Sequence, residues 1–291
     1  MKKVFFTADI SPEGLVKAYD ALGATLKGKV AVKISTGEPG GHNFLQPALI
    51  ASLVKKLNGT IVECNTAYEG RRNTTEAHWQ TFRDHGFMDI APCDLLDEDG
   101  DMALPVEGGF HLKENYVGTH LDNYGSILIL SHFKGHAMGG FGGALKNMSI
   151  GIASGRGKGH IHTSGAPCNG IEDIMNAPHD DFLESMADAD RAVIGHVGAE
   201  NIVYVSVANR LSVDCDCDAH PHDPEMADIG IFASLDPVAL DQACVDAVYN
   251  SPDPGKAALI KRMETRNGIH TIEAAVKLGL GEREYELVSL D

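Results

Sequence analysis

The segment Asp214-Cys215-Asp216-Cys217-Asp218-Ala219-His220-Pro221-His222-Asp223 gathers two thiols, two imidazoles and four carboxylates within ten residues. Thiolate and imidazole together select zinc or iron, and thiolates also hold iron–sulfur clusters. In an extended chain Cys215 and Cys217 point to one side, and Asp214, Asp216 and Asp218 to the other. One metal could take both thiols, with Cys168, His220 or His222 as candidates to complete its shell. The segment has no second paired module of the kind zinc sites carry at defined spacing. Two other readings therefore stay open. The cysteines could pack as small hydrophobes in a buried turn, or form a redox-active dithiol.

A second concentration of chemistry runs from Ser131 to Asn147, and it directly follows the most apolar run in the chain, Ser126-Ile-Leu-Ile-Leu130. Ligands of open parallel sheets bind beyond the C-terminal ends of strands. Gly139, Gly140, Gly142 and Gly143 would let main-chain N–H groups approach such a ligand, with Asn147 close by. Lys134, Lys146, Arg156 and Lys158 add positive charge, which predicts an anionic substrate or cofactor. Known phosphate fingerprints fail, because Leu145 and Gly159 stand where a dinucleotide loop and a Walker loop need Gly and Ser/Thr. A tight turn packing strand on helix is the alternative. Eight of the 14 histidines fall between positions 132 and 222. His132 and His136 would share a face of a helix, and His160 and His162 a face of a strand. His132 and His136, with Lys146 beside them, are the candidates for acid–base catalysis.

These residues need a scaffold, and the composition supplies one. The chain has 291 residues, of which 43% are hydrophobic, ample for a core. The net charge of −17 disfavours nucleic acid and anionic membranes as partners, since both need basic surface. No apolar run approaches the roughly 18 residues of a bilayer span. Met1-Lys-Lys-Val-Phe-Phe6 meets Asp9 too early for a signal peptide and reads as a first strand, so a cytoplasmic location is expected. A small anion is the expected partner, and a homo-oligomer is compatible with the composition.

Strand and helix signals alternate along the first 95 residues. Val4–Thr7, Val30–Ile34 and Thr60–Cys64 read as strands. Ser11-Pro12 starts a helix, and Phe44–Leu57 and Thr75–His85 read as two more. Gly108-Gly109 marks a turn between runs that could form a hairpin. Ile171–Met186 reads as a helix interrupted at Pro178. Ala192–Val197 and Ile202–Leu211 read as two strands, and Asp228–Ala233 as a third. Asp236-Pro237 caps a further helix, and Tyr285–Ser289 closes the chain as a strand. The pattern predicts an α/β fold of mainly parallel sheet flanked by helices, with antiparallel hairpin additions. It would form one domain, with two lobes over 1–125 and 126–291 as an option.

Three pieces together carry a family resemblance: Lys134-Gly-His136 with Gly142-Gly-Ala-Leu-Lys146-Asn147, then Asp214-Cys-Asp-Cys217, then Asp228-Ile-Gly-Ile-Phe-Ala-Ser234 with Asp236-Pro-Val-Ala-Leu-Asp241. Leu278-Gly-Leu-Gly281 and Tyr285-Glu-Leu fit as well. The chain resembles the prokaryotic family known as domain of unknown function three hundred and sixty-two, which is sometimes found in iron–sulfur proteins. The resemblance implies a metal- or cluster-linked role in prokaryotic, often anaerobic, metabolism. Many relatives carry a ferredoxin insert with Cys-x-x-Cys-x-x-Cys spacing. This chain lacks that insert, so paired clusters of that type are not expected. The leading expectation is an enzyme acting on a small anionic metabolite with an iron–sulfur cluster or a single iron or zinc ion. A cofactor-free anion-binding or scaffold module and a dithiol redox protein are the alternatives.

Overall fold

A computed structural model describes residues 1–291. In chain order the first half holds β1 (Lys2–Thr7), α1 (Pro12–Ala21), β2 (Val30–Lys33), α2 (Pro47–Lys56), β3 (Thr60–Glu63), α3 (Thr75–Asp84), β4 (Cys93–Leu95), β5 (Asp101–Pro105) and β6 (Glu114–Gly118). Then follow β7 (Ser126–His132), β8 (Lys134–His136), β9 (Gly140–Gly142), α4 (Ala144–Ile152), α5 (Gly155–His162), α6 (Ile171–Asn176) and α7 (His179–Val197). The chain ends with β10 (Ile202–Ala208), β11 (Gly230–Ser234), α8 (Pro237–Asn250), α9 (Lys256–Thr265), α10 (Ile269–Lys277) and β12 (Tyr285–Ser289).

Eight strands form one sheet in the order β12-β1-β11-β10-β7-β2-β3-β4, and only β11 runs against its neighbours. Strands from both sides of residue 125 therefore share one sheet, joined where β2 pairs with β7. Two small antiparallel ladders, β5–β6 and β8–β9, stand apart from it. The central strands are buried along their whole length, as parallel strands covered on both faces must be. Alternate residues serve opposite layers. Val32, Leu128, Leu130, Val203 and Val205 pack with α1 and α2, while Ala31, Ile127, Ile129, Ile202 and Tyr204 pack with α4, α7 and α8.

Caps written in the sequence set the helix starts. Ser11 accepts from the Gly14 amide ahead of Pro12, and Asp236 accepts from the Ala239 amide ahead of Pro237. The Gly108-Gly109 turn does join an antiparallel pair, β5 and β6. One expectation fails. Ala192–Val197 is not a strand but the end of the 19-residue α7. Its β-branched residues continue a helical stripe through Phe182, Met186, Ala189 and Val193, and Gly198, at φ 88°, ends it. No helix is long and apolar enough to cross a membrane.

The topology singles out one crevice. The connection leaving β2 runs through α2 to β3 on one side, and the connection leaving β7 leads to β10 on the other. Their C-terminal ends, at Lys33 and His132, flank the point where the winding reverses, which is where open α/β sheets bind ligands.

Candidate active site at the sheet switch point

A cavity of about 200 Å³ opens at that crevice. Its walls come from the ends of β2, β3 and β7 (Lys33, Glu63, His132), from one face of α4 (Lys146, Asn147, Ile150, Gly151), and from Lys134, His136, Lys158, Arg72 and Cys217. The α4 residues fall at i, i+1, i+4 and i+5, so a single helical face supplies them. The start of α4 is pinned from below. Asp241 of α8 accepts from the Ala144 and Leu145 amides at 2.7 and 3.0 Å. Burial pushes the Asp241 carboxyl up to about 7 against those two bonds.

The β8–β9 hairpin and the Cys215–Cys217 loop meet through main chain. The Gly135 amide donates to the Ser212 carbonyl at 2.8 Å, and a Cβ on Gly135 would lie 2.1 Å from the Val213 carbonyl oxygen. Glycine is required there, and the approach brings His136 to the two thiols. Ligand atoms of His136, Cys215 and Cys217 all lie within 4.8 Å of one another. Lys146 Nζ stands 3.6 Å from Cys215 Sγ. A hydrogen bond from the Cys217 thiol, with Lys146, Lys134 and His136 around it, holds the Cys215 thiol well below its ordinary range despite burial. The Cys217 thiol is pushed up correspondingly, chiefly because it donates to Cys215. The His136 imidazole is lowered by burial and by Lys146, and so is neutral at pH 7.

The acids of the same segment go to other partners. Asp216 takes His132 Nδ1 at 2.8 Å and Lys134 Nζ at 3.1 Å. Asp214 takes Arg262 at 3.2 Å and His222 at 2.5 Å. They clamp the loop to the fold.

Charge around the cavity is unbalanced. Arg72 is paired with Glu38 and Glu63, and Lys134 with Asp216. Lys33 instead donates to the Ile34 carbonyl and to Asn147 Oδ1, Lys158 to the Ala153 and Cys64 carbonyls, and Lys146 meets only sulfur. None of these three lysines has a carboxylate partner. Burial lowers Lys33 to about 8 and lowers Lys158 as well. Burial would raise the Glu63 carboxyl, but Arg72 and His78 outweigh it and hold it well below the usual range.

Several sequence expectations need correction on geometry. His132 donates through Nε2 to the Asn209 carbonyl at 2.6 Å and faces Asp216 through Nδ1, so neither nitrogen is free for acid–base work. His222 is 78% exposed and bound to Asp214. The His220 amide closes a turn on Asp218 at the surface, and Cys168 is exposed with its thiol on the Gly170 carbonyl. None of these three joins the thiol pair. Of the four glycines, only Gly143 lines the cavity. Gly139 donates to His136 Nδ1, Gly140 packs on Gly268 at φ 78°, and Gly142 lies against Lys134. Asn147 lines the cavity, and its side-chain amide staples β2 to β7 by donating to the Lys33 and Leu130 carbonyls. His160 and His162 sit on α5, a helix, and diverge.

The sequence reading missed Lys33, Glu63 and Arg72. The first two had a signal: each is the lone charge ending an apolar strand, in Val-Ala-Val-Lys33 and Thr-Ile-Val-Glu63. Arg72 lies in a loop with no pattern to mark it.

An open, mostly parallel sheet flanked by helices, with a cation-lined cavity at its switch point, defines an α/β protein. The chain belongs to the family described as "Domain of unknown function (DUF362)", whose model matches residues 30–246. No protein of curated function matches the sequence. Among solved structures, the lactate racemase apoprotein from Thermoanaerobacterium thermosaccharolyticum is 14% identical, with a TM-score of 0.49. The alignment covers 85% of this chain and 57% of that one. A protein from Thermotoga maritima is also 14% identical, with a TM-score of 0.47, over 82% of this chain and 58% of its own. The chain thus spans less than two thirds of the length of either structure.

Proposed function

We propose that the protein is an enzyme that takes a small anionic metabolite into the switch-point cavity and acts on it beside a single soft metal ion held by Cys215 and Cys217, with His136 as the third ligand. The observation that carries this reading is the convergence of the buried Cys215 thiol, the half-buried Cys217 thiol and a neutral imidazole within 4.8 Å at a wall of a cavity lined by uncompensated lysines. Thiolate and neutral imidazole are the protonation states that zinc and ferrous iron require. A conventional iron–sulfur cluster needs four cysteines. Cys64 keeps its proton on the Ile152 carbonyl, Cys168 is at the surface and Cys244 is in the core, so a single ion suits the donor set better. Lys33, Lys146 and Lys158 favour a carboxylate or phosphate group. The volume is below the roughly 300 Å³ at which drug-sized sites begin, so the metabolite is small.

The test is metal content of anaerobically purified protein beside the Cys215→Ser/Cys217→Ser variant. The folded variant is expected to hold about one zinc or iron per chain fewer than wild type. Full metal occupancy in that folded variant would refute the assignment. A metal-free thiolate enzyme is the second reading, and a specific contact favours it. His136 Nδ1 accepts from the Gly139 and Met138 amides at 2.8 and 3.2 Å, which leaves the proton of the neutral ring on Nε2. A ring in that state donates to the sulfur instead of offering a lone pair to a metal. Stoichiometrically metal-free wild type would select this reading.

A further inference from the structure

At the first turns of α7 lies a second set of side chains of metal-ligating type. His111 Nε2 stands 2.7 Å from Glu184 Oε2 and 3.9 Å from Asp181 Oδ1. His270 Nε2 stands 3.0 Å from the other oxygen, Glu184 Oε1. Three separate elements contribute: the loop between β5 and β6, the first turns of α7, and the start of α10. Ligand atoms of His111, Asp181 and Glu184 all lie within 4.8 Å of one another.

Two further observations distinguish this cluster from an ordinary surface ion pair. First, neither Asp181 nor Glu184 has a Lys or Arg within salt-bridge range; their only partners are imidazoles. Second, His111 is held in place. Buried Asp188 accepts three successive amides, from Phe110, His111 and Leu112, at 2.7, 2.8 and 2.9 Å. Three amide bonds on one carboxylate are more than a solvent loop requires.

We infer that His111, Asp181 and Glu184 form a three-donor site for a divalent transition metal, separate from the thiol centre and of different chemistry, with His270 held on the other oxygen of Glu184. One imidazole and two carboxylates make a donor set that zinc accepts, and the imidazole disfavours magnesium and calcium. An ion at about 2.0–2.2 Å from each donor would replace the hydrogen that now bridges Glu184 to His111. It would tie the β5–β6 loop to α7.

The inference is tested by titrating chelator-stripped full-length protein with cobalt(II) and zinc(II), in wild type and in Glu184→Gln and His111→Ala. Thiolate-bound cobalt gives an intense near-ultraviolet charge-transfer band, and an N/O site does not, so the two sites are read separately in one experiment. The expected result is one zinc equivalent lost in each variant, with the thiolate band unchanged. Wild type should also melt higher with zinc, and the variants should lose that part of the rise. Unchanged zinc stoichiometry in both variants would overturn the inference. Absence of the thiolate band alone would instead count against the metal assigned to Cys215 and Cys217.

Discussion

Replacing Lys33 by Met separates what the cavity's charge does for a ligand from what it does to the fold. Burial lowers the Lys33 ammonium from 10.5 to about 8. That displacement corresponds to about 3 kcal/mol held against the charged form in the folded state. Below pH 8 the folded protein carries this penalty in full. Between 8 and 10.5 the unfolded chain keeps a proton that the folded chain has released, so stability rises with pH. At pH 9.5 the wild type regains about 2 kcal/mol, whereas Lys33→Met has no proton to lose. At pH 7 the variant escapes the 3 kcal/mol penalty but orphans the Ile34 carbonyl and Asn147 Oδ1, at about 1 kcal/mol each. It should therefore be as stable as wild type or about 1 kcal/mol more so, while losing the rise in melting temperature that inorganic phosphate gives the wild type. Urea unfolding of both proteins at pH 7 and pH 9.5 measures this. A difference between the two that does not change with pH, or a variant several kcal/mol less stable at pH 7, would refute the placement of an uncompensated cation in the cavity.

Three other perturbations probe the supports. Arg72→Leu leaves Glu63 and Glu38 buried without their cation and should cost about 3–5 kcal/mol in chemical denaturation. Asp241 is an acid raised from 3.8 to about 7, so the folded state holds its proton longer than the unfolded state and loses stability as pH climbs through that window. Asp241→Asn should accordingly gain on wild type between pH 4 and 7, by up to about 4 kcal/mol in paired unfolding curves. Asp188→Ala removes the acceptor of three loop amides and should cost about 3 kcal/mol, with faster hydrogen exchange at Phe110–Leu112.

The fold was legible where local signals and tertiary demands agree. Ser11-Pro12 and Asp236-Pro237 cap helices because the capping bond is local. Strands β2, β3 and β7 announce themselves because a parallel strand covered on both faces must be apolar throughout. Ala192–Val197 misleads because its β-branched residues match a strand over six positions, and only the stripe reaching back to Phe182 shows the helix. In the site, Cys215, Cys217, His136, Lys146 and Lys158 sit in segments whose residue types stand out. His132 stands out equally, yet the fold spends both its nitrogens on holding Asp216 and Asn209. Composition cannot distinguish a buried clamp from a poised acid. The glycines misled similarly. Gly135 is the one that lets the hairpin touch the thiol loop, and its requirement comes from Val213, far away in sequence.

The central claim, a thiolate centre beside a cation-lined anion cavity, is tested most directly by alkylating chelator-stripped protein in parallel with iodoacetate and iodoacetamide. Modification of Cys215 and Cys217 would be followed by mass spectrometry, and exposed Cys168 serves as the internal reference. The account predicts that the anionic reagent outpaces the neutral one at the pair but not at Cys168, and that inorganic phosphate slows it. A pair that prefers iodoacetamide as Cys168 does, with no effect of phosphate, would contradict it.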